Sequence, residues 1–126
     1  MSHATGCFED LHYGIMHKIG AGHITDPMYG DLRLCLRDKA MRGNIGQRKV
    51  SSMEFQIIWL LIRANGGLIT HSEFVYFIYE SDERDLPLSN SMEVLVSRVR
   101  KKLVKISQLV AIDTFRGIGY QLSLRA

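Results

Sequence analysis

Val110-Ala-Ile-Asp-Thr-Phe-Arg-Gly-Ile-Gly-Tyr-Gln-Leu122 decides the fold, because it has the pattern of a β-hairpin with two glycines at its turn. It follows a basic segment, Ser89–Ile106, whose apolar residues recur with the period of a helix. From residue 89 to residue 126 the chain carries seven Lys or Arg against two Asp or Glu, a local charge of +5. Residues 1–88 carry nine against eleven, a local charge of −2, so the net charge of +3 conceals a polarised molecule.

This charge distribution predicts the kind of partner. A positively charged helix next to a positively charged hairpin is the surface that a duplex polyanion selects, because each neutralised phosphate releases condensed counterions. We therefore predict that residues 89–126 contain a binding surface for double-stranded DNA.

The length and composition are those of one globular domain. The chain has 126 residues, of which 46% are apolar and 23% are charged, enough for a single core. No apolar run approaches the ~18–20 residues that a membrane span requires, and the N-terminus lacks the pattern of a secretory signal. Cys7 and Cys35 are therefore predicted to be free thiols of a cytoplasmic, nucleoid-associated protein without membrane contact.

Three predicted helices begin with the same device, the capping box, in which an N-cap side chain and a Glu three residues later bond each other's backbone. The three matches are Ser51-Ser-Met-Glu54, Thr70-His-Ser-Glu73 and Asn90-Ser-Met-Glu93. An apolar periodic stretch follows each match, which predicts helices at about 52–64, 71–80 and 90–106. Asn65-Gly-Gly67 is a typical stop after the first helix.

Each predicted helix has an apolar face for the core. These faces comprise Phe55, Ile58, Trp59 and Ile62 in the first helix, Phe74, Phe77 and Ile78 in the second, and Met92, Val96, Val99, Leu103 and Ile106 in the third. The opposite side of the third helix carries Ser91, Val94, Ser97, Arg98 and Lys101. That side is predicted to be exposed.

The residues before the first helix are predicted to form strands. Asp31–Arg37 alternates polar and apolar residues, and Met41–Val50 has the pattern of one or two short strands around glycine-containing turns. Residues 1–27 show no clear period and are interpreted as an irregular extension of a domain at 28–126, with a short helix near Leu11–Ile19 left open. The order of strands, three helices and a hairpin predicts an α+β fold, a winged helix-turn-helix with an N-terminal antiparallel sheet.

At these residues the chain resembles the OmpR/PhoB-type winged-helix family, the DNA-binding effector domains of response regulators. The resemblance covers roughly residues 30–124. Its landmarks are Ser52-Met-Glu-Phe55, Gly67-Leu-Ile-Thr70, Glu73-Phe74, Val96-Ser-Arg-Val-Arg-Lys-Lys-Leu103 and Thr114-Phe-Arg-Gly-Ile-Gly-Tyr120.

The resemblance implies a four-stranded N-terminal sheet, a recognition helix in the major groove, a wing in the minor groove and head-to-tail binding to direct repeats. Two features depart from the family pattern. Residues 1–27 are too few for the phosphorylatable receiver domain that usually precedes this domain, so we expect no switching by aspartyl phosphorylation within this chain. Ile78-Tyr79 stands where members often have tryptophan, which should alter packing rather than function.

The third helix supplies the residues that we expect to contact DNA in the major groove. Arg98 is the first candidate for reading a base, because its planar guanidinium suits guanine O6 and N7 and the matching family position contacts bases. Val94 suits a thymine methyl group, and Ser91 and Ser97 flank it with hydroxyl groups. The remaining basic residues are expected to bind phosphates and fix the register; they are Arg100, Lys101 and Lys102.

The hairpin is expected to form the wing. Arg116 precedes Gly117-Ile-Gly119, whose glycines permit a tight turn, and an arginine there can enter a narrow, electronegative minor groove. Thr114 is expected to donate to a phosphate or base nearby. Phe115 and Tyr120 are interpreted as core residues that anchor the wing.

Metal binding and catalysis find little support in the sequence. Cys7, His12, His17 and His23 match no standard zinc spacing, so no metal site and no cofactor are predicted. The chain has no glycine-rich phosphate loop, nucleophile elbow or paired-acid motif, so we expect no enzyme activity. His71 lies within a capping box and is expected at the surface.

A protein–protein interaction module is the alternative, because winged helices also dock on proteins in transcription and signalling complexes. The segment between the second and third helices, residues 80–88, is acidic and contains a proline. The family resemblance implies that this loop contacts RNA polymerase, through Glu80, Asp82, Glu83 and Asp85. We expect a monomer in solution and a tandem dimer on DNA.

Overall fold

The computed structural model of the chain describes residues 26–79 and 89–125, and all structural statements refer to these residues. Four short antiparallel strands come first, in the spatial order in which they occur along the chain. They are β1 (Met28–Tyr29), β2 (Leu32–Cys35), β3 (Ala40–Gly43) and β4 (Gly46–Lys49). The predicted strand at 31–37 is confirmed by β2, and the stretch 41–50 contributes two strands rather than one.

Three helices follow within the described residues: α1 (Ser52–Arg63), α2 (His71–Tyr79) and α3 (Ser89–Val104). Ser51 and Glu54 form the predicted capping box of α1, with N···O distances of 3.2 Å and 2.8 Å. Thr70 and Glu73 form the same reciprocal pair before α2, at 3.1 Å and 2.8 Å.

The third helix lies where the sequence predicts it. α3 begins at Ser89, one residue before the predicted start, and ends at Val104, two residues before the predicted end at Ile106. Differences of one or two residues are usual at helix ends, where the terminal turns fray. The capping contact between Asn90 and Glu93 stays a prediction.

The C-terminal hairpin consists of β6 (Val110–Phe115) and β7 (Gly119–Leu124). A further short strand, β5 (Ile69–Thr70), precedes α2 and pairs with β7, giving a three-stranded sheet in the order β5-β7-β6. Gly119 is required at this pairing, because a side chain there would collide with the carbonyl oxygen of Ile69. Gly117 at the hairpin tip has φ +73°, a backbone conformation that glycine adopts without strain.

One core joins both sheets and all three helices. The predicted inner face of the third helix is confirmed, since its five apolar residues are all buried: Met92, Val96, Val99, Leu103 and Ile106. More of α1 is buried than the sequence predicted, because Ile57 and Leu61 are also fully buried. Trp59 lies at the margin of the core, half-buried, with its ring stacked on Phe77 at 5.8 Å between centroids.

The two aromatic residues of the wing have different environments. Tyr120 is buried as predicted and meets Phe74 edge-on at 5.9 Å between ring centroids. The prediction that Phe115 belongs to the core is wrong, because 40% of its surface is exposed. The reason is the two-residue alternation of a strand: Val110 and Ile112 face the core, which puts Phe115 on the opposite face of β6.

Candidate nucleic-acid interface

The outer face of α3 is a convex surface held in place by the buried inner face. Val94, Arg98 and Lys101 follow one another at intervals of four and three residues, so they lie on one side of the helix. All three side chains are exposed, and 44% of the surface of Val94 is accessible. Ser97 is half-buried beside them.

The wing tip is a second exposed element, formed by the turn between β6 and β7. Arg116 is exposed there, and the turn is closed by the Ile118 amide donating to the Phe115 carbonyl oxygen at 2.8 Å. The His71 amide donates to the Ile118 carbonyl oxygen at 3.0 Å, which ties the wing to the start of α2.

Two apolar side chains flank the wing arginine, and sequence reasoning did not assign them to the interface. Phe115 and Ile118 are 40% and 51% exposed. The alternation of a strand, counted from the core residue Ile112, would have predicted that Phe115 is exposed. Ile118 lies in the turn itself, where no periodicity applies.

Lys102 lies on the side of α3 that faces α1 and β4. Its ammonium group donates to Glu54 Oε1 at 2.7 Å and to the Lys49 carbonyl oxygen at 2.8 Å. The predicted phosphate contact of Lys102 stays a prediction, but two of the three ammonium donors are directed into the protein.

Arg100 and Thr114, both predicted to bind phosphate, contact each other. The Arg100 guanidinium donates through Nη2 to Thr114 Oγ1 at 2.7 Å and to the Ile112 carbonyl oxygen at 2.9 Å. Its Nε also donates to the Ile112 carbonyl oxygen, at 3.3 Å. The structure therefore brings these two residues together between α3 and the wing.

The electrostatics of the interface include one buried carboxylate. Burial by itself raises the pKa of Glu54, but the hydrogen bonds from Lys102 and Ser51 and the charge of Lys102 outweigh it and hold the pKa below its ordinary value of 4.5. Glu54 is therefore ionised at neutral pH and balances the charge of Lys102. Arg98, Lys101 and Arg116 make no ion pair with any other described residue.

Some predicted site residues lie outside the described residues: the acidic loop of Glu80, Asp82, Glu83 and Asp85. Ser91 lies in the first turn of α3. The histidines and the cysteine considered as metal ligands, at positions 7, 12, 17 and 23, also lie outside the described residues.

In the part of the chain that the structure describes, no group of three or more His, Cys, Asp or Glu side chains is placed to hold a metal ion. Nor does any helix there have the length and apolar character to cross a bilayer.

The fold and the two exposed basic elements define a winged helix-turn-helix domain. Residues 47–122 match the family model described as "Transcriptional regulatory protein, C terminal". The chain belongs to this family, and the resemblance drawn from its motifs is confirmed.

Among curated proteins, the chain is similar to the transcriptional regulatory protein PhoP of Escherichia coli strain K12, with 34% identity over 77 residues. The virulence transcriptional regulatory protein PhoP of Salmonella typhimurium strain LT2 matches at the same identity over the same length. Each match covers 61% of this chain and 34% of the relative, so the chain spans about a third of the length of the curated relatives it matches.

Among solved structures, the fold is similar to that of several response-regulator domains. The C-terminal domain of the nisin resistance regulator NsrR has a TM-score of 0.63 at 23% identity, covering 76% of this chain and 95% of that domain. The DNA-binding domain of AdeR, solved in complex with an intercistronic region, has a TM-score of 0.63 at 23% identity, with coverages of 78% and 98%. The DNA-binding domain of Klebsiella pneumoniae RstA, in complex with the RstA box, has a TM-score of 0.60 at 20% identity, with coverages of 79% and 98%. These likenesses confirm the predicted fold class.

Proposed function

We propose that the chain binds double-stranded DNA sequence-specifically as the DNA-binding domain of a bacterial transcription regulator, with α3 in the major groove and the wing in the minor groove. One observation carries this proposal. The outer face of α3 and the wing tip are both exposed and basic, and their arginines, Arg98 and Arg116, make no hydrogen bond to any other described residue. Membership of the transcriptional regulatory family supports it.

In the major groove, Arg98 reads a guanine through a bidentate pair of hydrogen bonds, because its guanidinium lies mid-face and is exposed. Val94, one turn earlier, contacts a thymine methyl group, since an exposed aliphatic side chain in a polar groove gains most from that apolar partner. Ser91 and Ser97 add hydroxyl contacts beside these two residues.

Phosphate contacts fix the domain on the duplex. Lys101 is the best placed for such a contact on α3, because it is exposed on the same face as Arg98. Arg116 enters the minor groove from the wing tip, where a narrow groove concentrates negative potential. Arg100, Lys102 and Thr114 have partners within the protein and contribute less directly.

The wider assignments are part of the same proposal. The acidic residues of the 80–88 loop contact RNA polymerase, two copies bind direct repeats in tandem, and the domain works in the cytoplasm, where bacterial DNA lies. It has no catalytic role. The names of the relatives support the regulatory, DNA-binding role on which these assignments depend: PhoP is a transcriptional regulatory protein, and the AdeR and RstA domains are DNA-binding domains solved with DNA.

The test begins with selection of bound sequences from a random duplex pool, followed by a salt titration on the selected duplex. The logarithm of the association constant should fall with the logarithm of salt concentration with a slope of about −4 to −7, since about five to eight phosphate contacts contribute about −0.9 each. A double variant, R98A/R116A, is the matched control and should lose the selected preference. A slope near zero, or no enriched sequence, would contradict the proposal.

A further inference from the structure

The guanidinium of Arg100 is a direct hydrogen-bonded link between α3 and the wing strand β6. It makes three hydrogen bonds: to Thr114 Oγ1 at 2.7 Å and to the Ile112 carbonyl oxygen at 2.9 Å and 3.3 Å. We propose that Arg100 is a positioning residue, which sets the placement of the wing relative to the recognition helix instead of binding phosphate itself. This inference rests on the proposed DNA-binding function.

The edge position of β6 explains why the strand needs such a partner. In the order β5-β7-β6, one side of β6 has no neighbouring strand, so half of its backbone groups lack a ladder partner. The Ile112 carbonyl oxygen finds its donor in Arg100. The edge of the wing is thereby attached to α3 by a side chain.

The link lies two residues from each of the two arginines that we propose enter the grooves. Arg98 precedes Arg100 by two positions on α3, and Arg116 follows Thr114 by two positions on the wing. Two helical positions turn by about 200°, so the outward direction of Arg98 is compatible with the direction of Arg100 toward the wing. A shift of the link therefore changes the distance between the two side chains that we propose enter the two grooves.

The chemistry of the link requires arginine. The guanidinium is a planar fork of five donors, so it can serve a carbonyl oxygen and a hydroxyl oxygen at the same time in fixed geometry. A lysine ammonium carries the same charge but a single nitrogen, and it holds two acceptors less rigidly. A phosphate contact that depends on charge, in contrast, keeps most of its strength when Arg is changed to Lys, because an ammonium group also binds phosphate.

The first experiment needs no DNA. Backbone ¹⁵N order parameters of residues 113–118 are measured in the wild-type chain and in R100K. We expect lower order parameters at the wing tip in R100K and unchanged values in R98K, which is the same substitution on the same helix away from the link. T114V should loosen the tip in the same way, and T114S should restore it because the hydroxyl acceptor is kept. An R100K wing as ordered as the wild-type wing would overturn the proposal.

The second experiment is a double-mutant cycle on the selected duplex, with R100K, R116A and the double variant. If Arg100 acts through the wing, R100K should weaken binding by roughly fivefold to tenfold in the wild-type background, the size expected for the net loss of about one ordinary hydrogen bond, since lysine keeps the charge. In the R116A background the same substitution should cost less than about twofold, because the coupled contact is already gone. Equal losses in both backgrounds would show that Arg100 acts independently of the Arg116 contact and would overturn the proposal.

The outcomes distinguish failure of the proposed DNA-binding function from failure of the positioning role of Arg100. If the wild-type chain shows no salt-dependent binding to any duplex, the proposed function fails, whatever the order parameters show. If it binds DNA and the cycle is additive, the positioning role of Arg100 fails and the proposed function stands. Melting temperatures of all variants show whether a loss of binding reflects loss of the fold.

Discussion

The ammonium nitrogen of Lys102 lies 2.7 Å from Oε1 of Glu54, which joins the recognition helix α3 to the first turn of α1. The same carboxylate oxygen accepts a hydrogen bond from the Ser51 amide at 2.8 Å, so one atom serves both the capping box and the ion pair. Glu54 is almost completely buried, whereas a third of the Lys102 side chain is exposed. The contact therefore places the end of α3 against α1 and β4.

The first prediction concerns the stability that this contact supplies. Glu54→Gln keeps the shape and an acceptor for the capping box but removes the negative charge that Lys102 faces. We expect a loss of about 1–3 kcal/mol in the free energy of unfolding, less than for a fully buried pair because Lys102 reaches solvent. Urea denaturation measures the change.

Glu73→Gln is the matched control for this substitution. Glu73 caps α2 with the same geometry, at 2.8 Å from the Thr70 amide, but it is exposed and forms no ion pair with another described residue. Its replacement should cost less than about 1 kcal/mol. Equal losses in the two variants would mean that the charge of Glu54 contributes nothing beyond the cap.

The second prediction concerns pH. Since the pKa of Glu54 is held below its ordinary value of 4.5, its ionised form favours the folded state. The resulting stability is fully present above the unfolded pKa and is lost as the pH falls through the folded pKa. The difference in unfolding free energy between the wild-type chain and E54Q should be constant from pH 7 to pH 5.5 and shrink below the ordinary value of 4.5. Denaturation curves along this pH series measure it; a difference that grows on acidification would have the wrong sign.

Local sequence patterns predicted most of the helices and strands. They did not predict the side-chain contacts between elements that are distant in sequence. The starts of α1 and α2 follow from capping boxes that span four residues each, so sequence alone located them. The partner of Lys102 is 48 residues away and that of Arg100 is 14 residues away, across elements whose packing no local pattern specifies. The sequence therefore predicted a basic helix correctly but could not tell which of its cations face the protein.

The wrong prediction for Phe115 has a different cause, because the sequence pattern of β6 already indicated its exposed position. Counting alternate residues from the core residue Ile112 puts Phe115 on the outer face of β6, and the structure has it there. An aromatic residue was assigned to the core by its chemical type alone. Near the tip of a hairpin, the strand period is the better guide, since little protein remains there to cover a side chain.

The third prediction separates base reading from positioning on DNA. Arg98→Ala should cost roughly 1–3 kcal/mol on the selected duplex and relax the preference at one base pair. Lys101→Ala should weaken binding to all sequences about equally and reduce the magnitude of the salt slope by about 0.9. Binding of both variants to a set of single-substituted duplexes measures this. The same loss of preference in both variants would show that the two roles are assigned wrongly.

The fourth prediction concerns the buried thiol of Cys35. Desolvation by burial, partly opposed by the charge of Arg42, raises the pKa of the thiol above its ordinary value of 9.0, so little reactive thiolate forms near pH 8. In a C7S variant, which leaves Cys35 as the single thiol, alkylation by iodoacetamide should be at least about tenfold slower in the native protein than in urea. Intact-mass measurement over time gives both rates. Native labelling as fast as that of the unfolded chain would contradict the buried position.

The last prediction concerns assembly on DNA. One α3 reaches only a short stretch of the major groove, so two domains are needed to read an extended site. In a head-to-tail arrangement both recognition helices face the same side of the duplex, which requires direct repeats separated by about 10–10.5 base pairs. We expect a monomer in solution at micromolar concentration and two copies on a duplex with two repeats. Light scattering measures the first, and footprinting on repeats with their spacing increased by about half a turn measures the second. The insertion should abolish cooperative occupancy while each single site remains bound, since it rotates one domain to the opposite side of the helix axis. A dimer that forms without DNA, or occupancy that ignores the insertion, would refute the tandem arrangement.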